Sequence, residues 1–368
     1  MRIALLGATG YVGNEFVRQA GRRFPNVEVI ASGRNQTKLA SLRRYGNVRS
    51  AHSYEHGEGL QALLQDVDVC VDLSYQTHGV PSQQIRRSRE HAERLVAGCH
   101  EHGIQHLVIV GSVAVYGVPV IKHPWREAPP PDRLGVPSTI YSRVKGVVES
   151  HAGKVARQYG VKVAFIRSGH IMGAASKMAA NIAGTLLRGD VSLLAHREGP
   201  SNATTVEGLV ATLLDLAVNR WQEPSIAANH VNLARVSYDE IVHCFARHMG
   251  VQPVAGRADV SRTRLRSRVL QSVRENEGWL SVIQSYAGWS EGIVSGIKRE
   301  YGKEKAAIAG VTSTGLPSGK GILPIYLCDA VPHTSPPCGP LIDASHLDNA
   351  LEPVRKWLTN SGFNGFQR

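Results

Sequence analysis

The sequence predicts an α/β protein: a doubly wound parallel sheet followed by a smaller C-terminal α+β part. Three observations carry that expectation. Short apolar runs alternate with longer amphipathic stretches from the start of the chain to Gly173. The apolar runs are rich in Val and Ile and show little polar alternation, which suits strands buried on both faces of a parallel sheet. A glycine-rich turn joins the first apolar run directly to the first amphipathic stretch. Strands and helices alternating in this way build doubly wound domains.

The expected strands are Arg2–Leu6, Glu28–Ala31, Val67–Leu73, His106–Val110 and Lys162–Ile166. Between them, helical spacing is clear at Val12–Arg22, Ser82–His102 and Tyr141–Tyr159. In the first of these, Val12, Phe16, Val17 and Ala20 share one face. Beyond Gly173 the pattern loosens. A helix is expected over Val206–Val218, a short strand over His230–Leu233, an amphipathic helix over Tyr238–Met249 and a terminal helix over Leu347–Leu358. Gly256–Gly339 is harder to read. It holds a basic helix and then Trp279, Tyr286 and Trp289, whose spacing suits a helix core as well as an aromatic pocket. Ser313–Gly321 reads as a mobile loop. Its Gly319-Lys320 is no phosphate loop, because the glycine spacing is one residue short and no Ser or Thr follows the lysine.

Composition narrows the function classes. The chain has 368 residues, 42% hydrophobic and 20% charged, as in ordinary globular proteins. No apolar run is long enough to span a membrane, and no secretory signal is visible, so a cytoplasmic location and no membrane partner are expected. The net charge of +12 is spread over the chain rather than held in one tail. Its two clusters are Arg86, Arg87, Arg89 and Arg94, and Arg257, Arg262, Arg264, Arg266, Arg268 and Arg274. They read as solvated helix faces, with no nucleic-acid partner expected; an anionic cofactor or substrate is the alternative. The five cysteines are odd in number and scattered, which suits a reducing compartment. Cys328, His333 and Cys338 lack a clear fourth ligand, so no metal site is expected there or elsewhere.

The turn Gly7-Ala8-Thr9-Gly10-Tyr11-Val12-Gly13 follows the first strand and opens the first helix. Its glycines allow a tight turn and close approach of backbone to a pyrophosphate, and a helix N-terminus offers free N–H groups to that anion. Gly7, Thr9, Gly10, Tyr11, Val12 and Gly13 are therefore candidate dinucleotide contacts. The second strand should end beside the adenosine ribose, where an acid would read a free 2′-hydroxyl and an arginine a 2′-phosphate. It ends Ala31-Ser32-Gly33-Arg34-Asn35, with no acid. Ser32 and Arg34 thus favour NADP(H), with NAD(H) still possible.

Tyr141 and Lys145 are four residues apart at the start of a helix and share its face. A free tyrosine, with a pKa of about 10, is a poor acid or base near neutrality, and a neighbouring ammonium favours its phenolate. Ser112 stands just past a buried strand, where open α/β sheets place their ligands. These three are the candidate catalytic residues.

Taken together, these segments resemble an extended short-chain dehydrogenase/reductase, the group of the NAD-dependent epimerase/dehydratase proteins. The resemblance runs over Met1–Leu233. It rests on the glycine turn, on Ser112-Val113-Ala114-Val115-Tyr116-Gly117, on Tyr141 with Lys145, on Glu127, and on Arg167-Ser168-Gly169-His170-Ile171-Met172-Gly173. It implies a Rossmann-like dinucleotide-binding domain over residues 1–173 with a return segment at 205–235. Residues 174–204 and 236–368 would then form the substrate-binding part. Tyr141 would act as general acid or base, Ser112 would polarise a substrate oxygen, and Lys145 would hold the nicotinamide ribose. Ser74 would lie against the cofactor and Ser168 near the nicotinamide. His170 and His196 become candidate substrate contacts, and a homodimer is implied. The chain departs from the family at Val48–His52, which carries no acid near the adenine, and at His170, where sugar-nucleotide members tend to carry Asn.

Three functions follow as expectations. The first is an NADP(H)-dependent oxidoreductase that moves hydride to or from a carbonyl or alcohol carbon of a small molecule. The second is a nucleotide-sugar epimerase or dehydratase with tightly bound cofactor. The third is an NADP-sensing binding protein without chemistry, against which Ser112, Tyr141 and Lys145 argue.

Overall fold

A computed structural model describes residues 1–52, 57–75, 81–116, 140–187, 201, 203–233, 235–252 and 341–360. The seven strands of the main sheet are β1 (Arg2–Leu6), β2 (Glu28–Ser32), β3 (Val48–His52), β4 (Val69–Asp72), β5 (His106–Ser112), β6 (Lys162–Ser168) and, late in the chain, a strand at Ser225–His230. They lie in the order β3-β2-β1-β4-β5-β6 with the late strand beside β6, and every pairing is parallel. Helices α1 (Tyr11–Arg23), α2 (Gln36–Leu42), α3 (Gly57–Leu64), α4 (Pro81–Glu101) and α5 (Ile140–Tyr159) connect them.

Strand residues alternate between two apolar layers. Ile3 and Leu5 pack with Phe16, Val17 and Ala20 of α1, while Ala4 and Leu6 pack with Leu63 of α3 and Leu95 of α4. Both faces are covered, so neither needs polar residues, and this is why the strands read as continuous apolar runs. The direction of winding reverses between β1 and β4, the place where such sheets open a crevice at their carboxyl ends.

Past β6 the chain builds a smaller layer. Strand β7 (His170–Met172) pairs with β8 (Ala203–Thr205) in a two-stranded sheet, and α6 (Lys177–Leu187) lies between them in sequence. Helix α7 (Val206–Asn219) then packs on α1 and leads to β9 (Ser225–His230). Helix α8 (Tyr238–Met249) starts at a capping box between Ser237 and Glu240 and ends at Gly250, whose φ is +67°. With α9 (Leu347–Ala350) and α10 (Glu352–Asn360) it forms a second core around Ile182, Phe245, Leu351 and Leu358.

Two expected elements differ. The strand expected over His230–Leu233 ends where it was to begin. The first half of β9 is open to solvent and only Ala228–His230 are buried, so the expected run catches just the last residue of the strand. Beyond it, Leu233 turns away to donate its N–H to Ala203 O at 3.0 Å. The terminal helix is broken at Leu351, because Pro353 has no N–H to continue the ladder. His196, the arginines from Arg257 to Arg274, the three aromatics from Trp279 to Trp289, and the loop Ser313–Gly321 lie outside the described residues, as do Glu127, Cys328, His333 and Cys338. Among the described residues no helix is long and apolar enough to cross a membrane.

Candidate active site

The first half of the site is backbone. Gly7 has φ +80°, and a Cβ there would stand 3.1–3.2 Å from the backbone of Leu73 and Ser74. This turn therefore passes against the end of β4 as only glycine can. A Cβ on Gly13 would sit 2.4 Å from Gly7 O and 2.6 Å from Ala8 Cα, so α1 starts hard against the turn it leaves. Gly10 caps that helix without a side chain, and its first turn carries no acid. The opening N–H groups of α1 have no partners inside the helix. The turn is braced by Ala8 N–H to Ser32 O at 2.8 Å, and Gly33 fits closely against Thr9. These residues fit an anionic dinucleotide: a close-approach cradle at an uncapped helix N-terminus.

A cleft of about 590 Å³ opens there, and its lining includes Thr9, Gly10, Tyr11, Asn14, Glu15, Lys38, Ser41, Val206 and Glu207. Glu15 is paired with Arg18 and Gln19. Burial, aided by Glu15, holds the Glu207 carboxyl above its ordinary range. Ser32 is buried at the end of β2, whereas Arg34 is exposed and makes no ion pair among the described residues. Lys38 and Ser41, one turn apart on α2, are the residues of that helix that line the cleft, and Arg34 stands outside its lining. Asn35 caps α2 by accepting from Lys38 N–H.

The second half is built from side chains. Ser112 ends β5, directly opposite Ser168 of β6, which in turn faces His230 of β9. Ser112 Oγ accepts from Ala114 N–H at 3.2 Å, and Ser168 Oγ donates to Gly111 O at 3.3 Å. Helix α5 packs against the turn that follows Ser112. Its Lys145 is buried and donates from Nζ to Val110 O at 2.8 Å, one residue beyond the last pairing of β5 with β4. Tyr141, one turn earlier, is 37% exposed.

Tyr75 joins these two residues, and sequence reasoning missed it. Its ring meets Tyr141 edge-on at 5.0 Å between centroids, and Lys145 Nζ lies 5.5 Å from its centre. The only hint in the sequence was its place directly after Ser74. That turn is itself anchored. Ser74 N–H donates to Asp72 Oδ1 at 2.7 Å, and His91 Nε2 lies 3.0 Å from Asp72 Oδ2 and 3.2 Å from Ser74 Oγ. Burial opposes the charge on Asp72, but His91 and Ser74 outweigh it and hold the carboxyl below its usual range.

Behind Lys145 lies a buried ion pair. Arg167 Nε reaches both oxygens of Glu149 at 3.0 and 3.1 Å, and its Nη1 donates to Tyr116 Oη at 2.9 Å. Tyr116 donates on to Asn229 Oδ1 at 2.7 Å. Arg167 and Glu149 are 0% and 2% exposed. Glu149 is four residues beyond Lys145 and eight beyond Tyr141, so one stripe of α5 carries all three. That continued spacing, and an arginine in an apolar strand, were the signals available for this pair.

His170 packs edge-on near Tyr238, 6.3 Å between ring centres, and burial pulls its imidazole down to about 4. At neutral pH it carries no charge. His230 is likewise pushed down to about 4 by burial, and it shares a 2.6 Å hydrogen bond with Thr204.

The model of the NAD dependent epimerase/dehydratase family matches residues 3–209, more than half of the chain. The chain belongs to this family. The matched stretch contains the glycine turn, Ser74, Ser112, Tyr141, Lys145, Ser168 and His170. Among solved structures, the fold is similar to UDP-N-acetylglucosamine 4-epimerase from Bacillus cereus (TM-score 0.56, 17% identity, 69% of this chain and 84% of that one). It is also similar to UDP-glucose 4-epimerase from Stenotrophomonas maltophila with bound NAD and formylated UDP-arabinopyranose (TM-score 0.55, 18% identity, 70% and 87%). A third is the UDP-glucuronic acid 4-epimerase of Bacillus cereus with NAD (TM-score 0.56, 15% identity, 70% and 86%). At these identities the likeness shows the shared Rossmann-like fold of the family. No curated protein matches the chain in sequence.

Proposed function

We propose that this chain is an epimerase or dehydratase acting on a nucleotide-linked sugar, with the dinucleotide held and recycled rather than exchanged. The observation that supports this reading is the match to the epimerase/dehydratase family and to 4-epimerase folds, in a chain where Ser112 ends β5 and α5, which carries Tyr141 and Lys145, packs against the turn that follows. Tyr141 takes up or returns the proton of a sugar hydroxyl at its Oη. Ser112 Oγ, already an acceptor from Ala114, donates its own hydrogen to the same substrate oxygen. Lys145 spends one of its three N–H bonds on Val110 O and keeps two for ribose hydroxyls. Gly10–Gly13 hold the pyrophosphate at the start of α1, with Ser74 and Ser168 along the remainder of the dinucleotide. The nicotinamide, when bound, supplies the hydride chemistry.

For the dinucleotide itself we favour NADP. No carboxylate ends β2, the exposed Arg34 follows it and Lys38 lines the adjoining cleft, so two cations are near at hand for a 2′-phosphate. The same feature supports a second reading, a reductase that exchanges NADP(H) with solvent.

Denaturing the purified protein and identifying released nucleotide by mass spectrometry separates the two. Stoichiometric bound nucleotide, together with interconversion of UDP-hexoses without added cofactor, is the expected result. A site that is empty as isolated, takes NADPH reversibly and leaves UDP-hexoses unchanged would replace the first reading with the second.

A further inference from the structure

Outside the sheet, three residues of different chemistry converge at the second core. Cys244 and His248 stand one turn apart on α8, and Asp348 lies on α9, 104 positions from the cysteine in sequence. Cys244 Sγ is 3.2 Å from His248 Nε2 and 3.1 Å from Asp348 Oδ1, and Nε2 to Oδ1 is 3.5 Å. We propose that Cys244, His248 and Asp348 bind one borderline-soft divalent cation, Zn²⁺ by preference, which pins the C-terminal helices to α8.

The triangle has the right size. Tetrahedral zinc with bonds of about 2.3 Å to sulfur and about 2.0–2.1 Å to nitrogen and oxygen separates its ligand atoms by roughly 3.3–3.6 Å. The three observed separations lie within about 0.5 Å of that range, so small side-chain shifts suffice. Thiolate with imidazole selects zinc over magnesium or calcium, which take oxygen ligands. Exposure is graded: Cys244 is buried, the His248 side chain is 12% exposed and that of Asp348 57%. An ion can therefore enter from the Asp348 side and keep a water as fourth ligand there.

The charged neighbours are compatible with this. Arg247 Nη2 contacts both oxygens of Asp348, at 3.0 and 3.1 Å. It orients the carboxylate, as second ligand shells do, and a carboxylate oxygen has a lone pair to spare for the ion. Arg355 and Lys356 are taken up by Glu352. On binding, the Cys244 S–H bond breaks and its proton goes to solvent. Thiolate and carboxylate then balance the two positive charges of the ion.

Cobalt(II) is the probe. Titrated into the full-length, tag-free protein, it should saturate at one equivalent with a thiolate-to-cobalt charge-transfer band and visible bands of tetrahedral intensity. Zn²⁺ should abolish both. Cys244→Ser should lose the charge-transfer band, and Asp348→Asn should weaken binding by about tenfold or more. Because a substituted core may fail to fold, the unmutated protein supplies a second measurement. One equivalent of Zn²⁺ should slow alkylation of the Cys244 peptide, read by mass spectrometry, while Cys70 and Cys99 are unaffected. No saturable cobalt binding, a band that survives Cys244→Ser, or alkylation of Cys244 indifferent to zinc would overturn the site.

Discussion

At the carboxyl edge of the sheet, the turn after β1 and the end of β5 are built by opposite means. The first works through absent side chains. Gly7, Gly10 and Gly13 clear space for backbone N–H groups, and their nearest neighbours are backbone atoms of Leu73, Gly7 and Ala8. The second works through side chains wired across the fold: Tyr75 against Tyr141 and Lys145, Lys145 on Val110, and Glu149 with Arg167, Tyr116 and Asn229. A backbone site can be specified by a few consecutive residues. A side-chain site needs partners from the turn after β4 and from β5, α5, β6 and β9 at once. The first should therefore fail locally when altered, and the second through its supports as well as its reacting groups.

That contrast can be broken most sharply at Tyr141. Tyr141→Phe should lower turnover by about 10²–10⁴-fold with nucleotide affinity unchanged, measured by steady-state rates and by titration. A matching loss of nucleotide affinity would mean the two halves are not separable. Next comes Glu149→Leu. It leaves the buried Arg167 guanidinium without its carboxylate, and unfolding should cost about 3–5 kcal/mol less, seen in denaturant melts. The double variant Glu149→Leu with Arg167→Met should recover much of that stability while turnover stays low, because α5 has lost its tether beside Lys145.

His230 tests the same side-chain half by pH. Its folded pKa, about 4, lies below the ordinary value of 6.5. The unfolded chain therefore binds the proton first, so stability is full above pH 6.5 and is lost as pH falls toward 4. The loss attributable to this residue is about 3 kcal/mol at most, and a His230→Gln variant should show a correspondingly flatter melting profile between those limits.

Smaller effects belong to the backbone half. Gly13→Ala puts a Cβ 2.4 Å from Gly7 O, which should cost about 1–3 kcal/mol of stability and weaken nucleotide binding, with Tyr141 and Lys145 undisturbed. Arg34→Ala should weaken NADPH binding by about tenfold and leave NADH binding nearly unchanged. Equal losses for both would show that Arg34 does not read the 2′-phosphate, and Lys38 with Ser41 would become the residues to alter next.

The β–α alternation and the glycine turn were legible because each depends on residues adjacent in the chain or on one helical face. The expected strand at Arg2–Leu6 and the expected helix at Tyr238–Met249 appear with the same ends, since apolar periodicity and caps mark them locally. Tyr141 and Lys145 could be paired on sight because four residues is one helical turn. Tyr75 could not, because its contacts span 66 and 70 positions and depend on how far β4 runs before it turns. Glu149 continues the Tyr141–Lys145 spacing and Arg167 sits in an apolar run, but that the two pair emerges only when β6 is placed beside β5 and α5 is laid across them. The same holds for Asp348, whose partners Cys244 and His248 carry a helical spacing that the chain displays openly while their third member stays hidden.

Local pattern settles most of the secondary structure, the apolar faces and the glycine turn, because backbone geometry and side-chain periodicity act over a few residues. Folding settles which charges are buried together, which ring touches both Tyr141 and Lys145, and where α9 and α10 meet α8. Those contacts join residues far apart in sequence, and their energies exist only once water is excluded from between them.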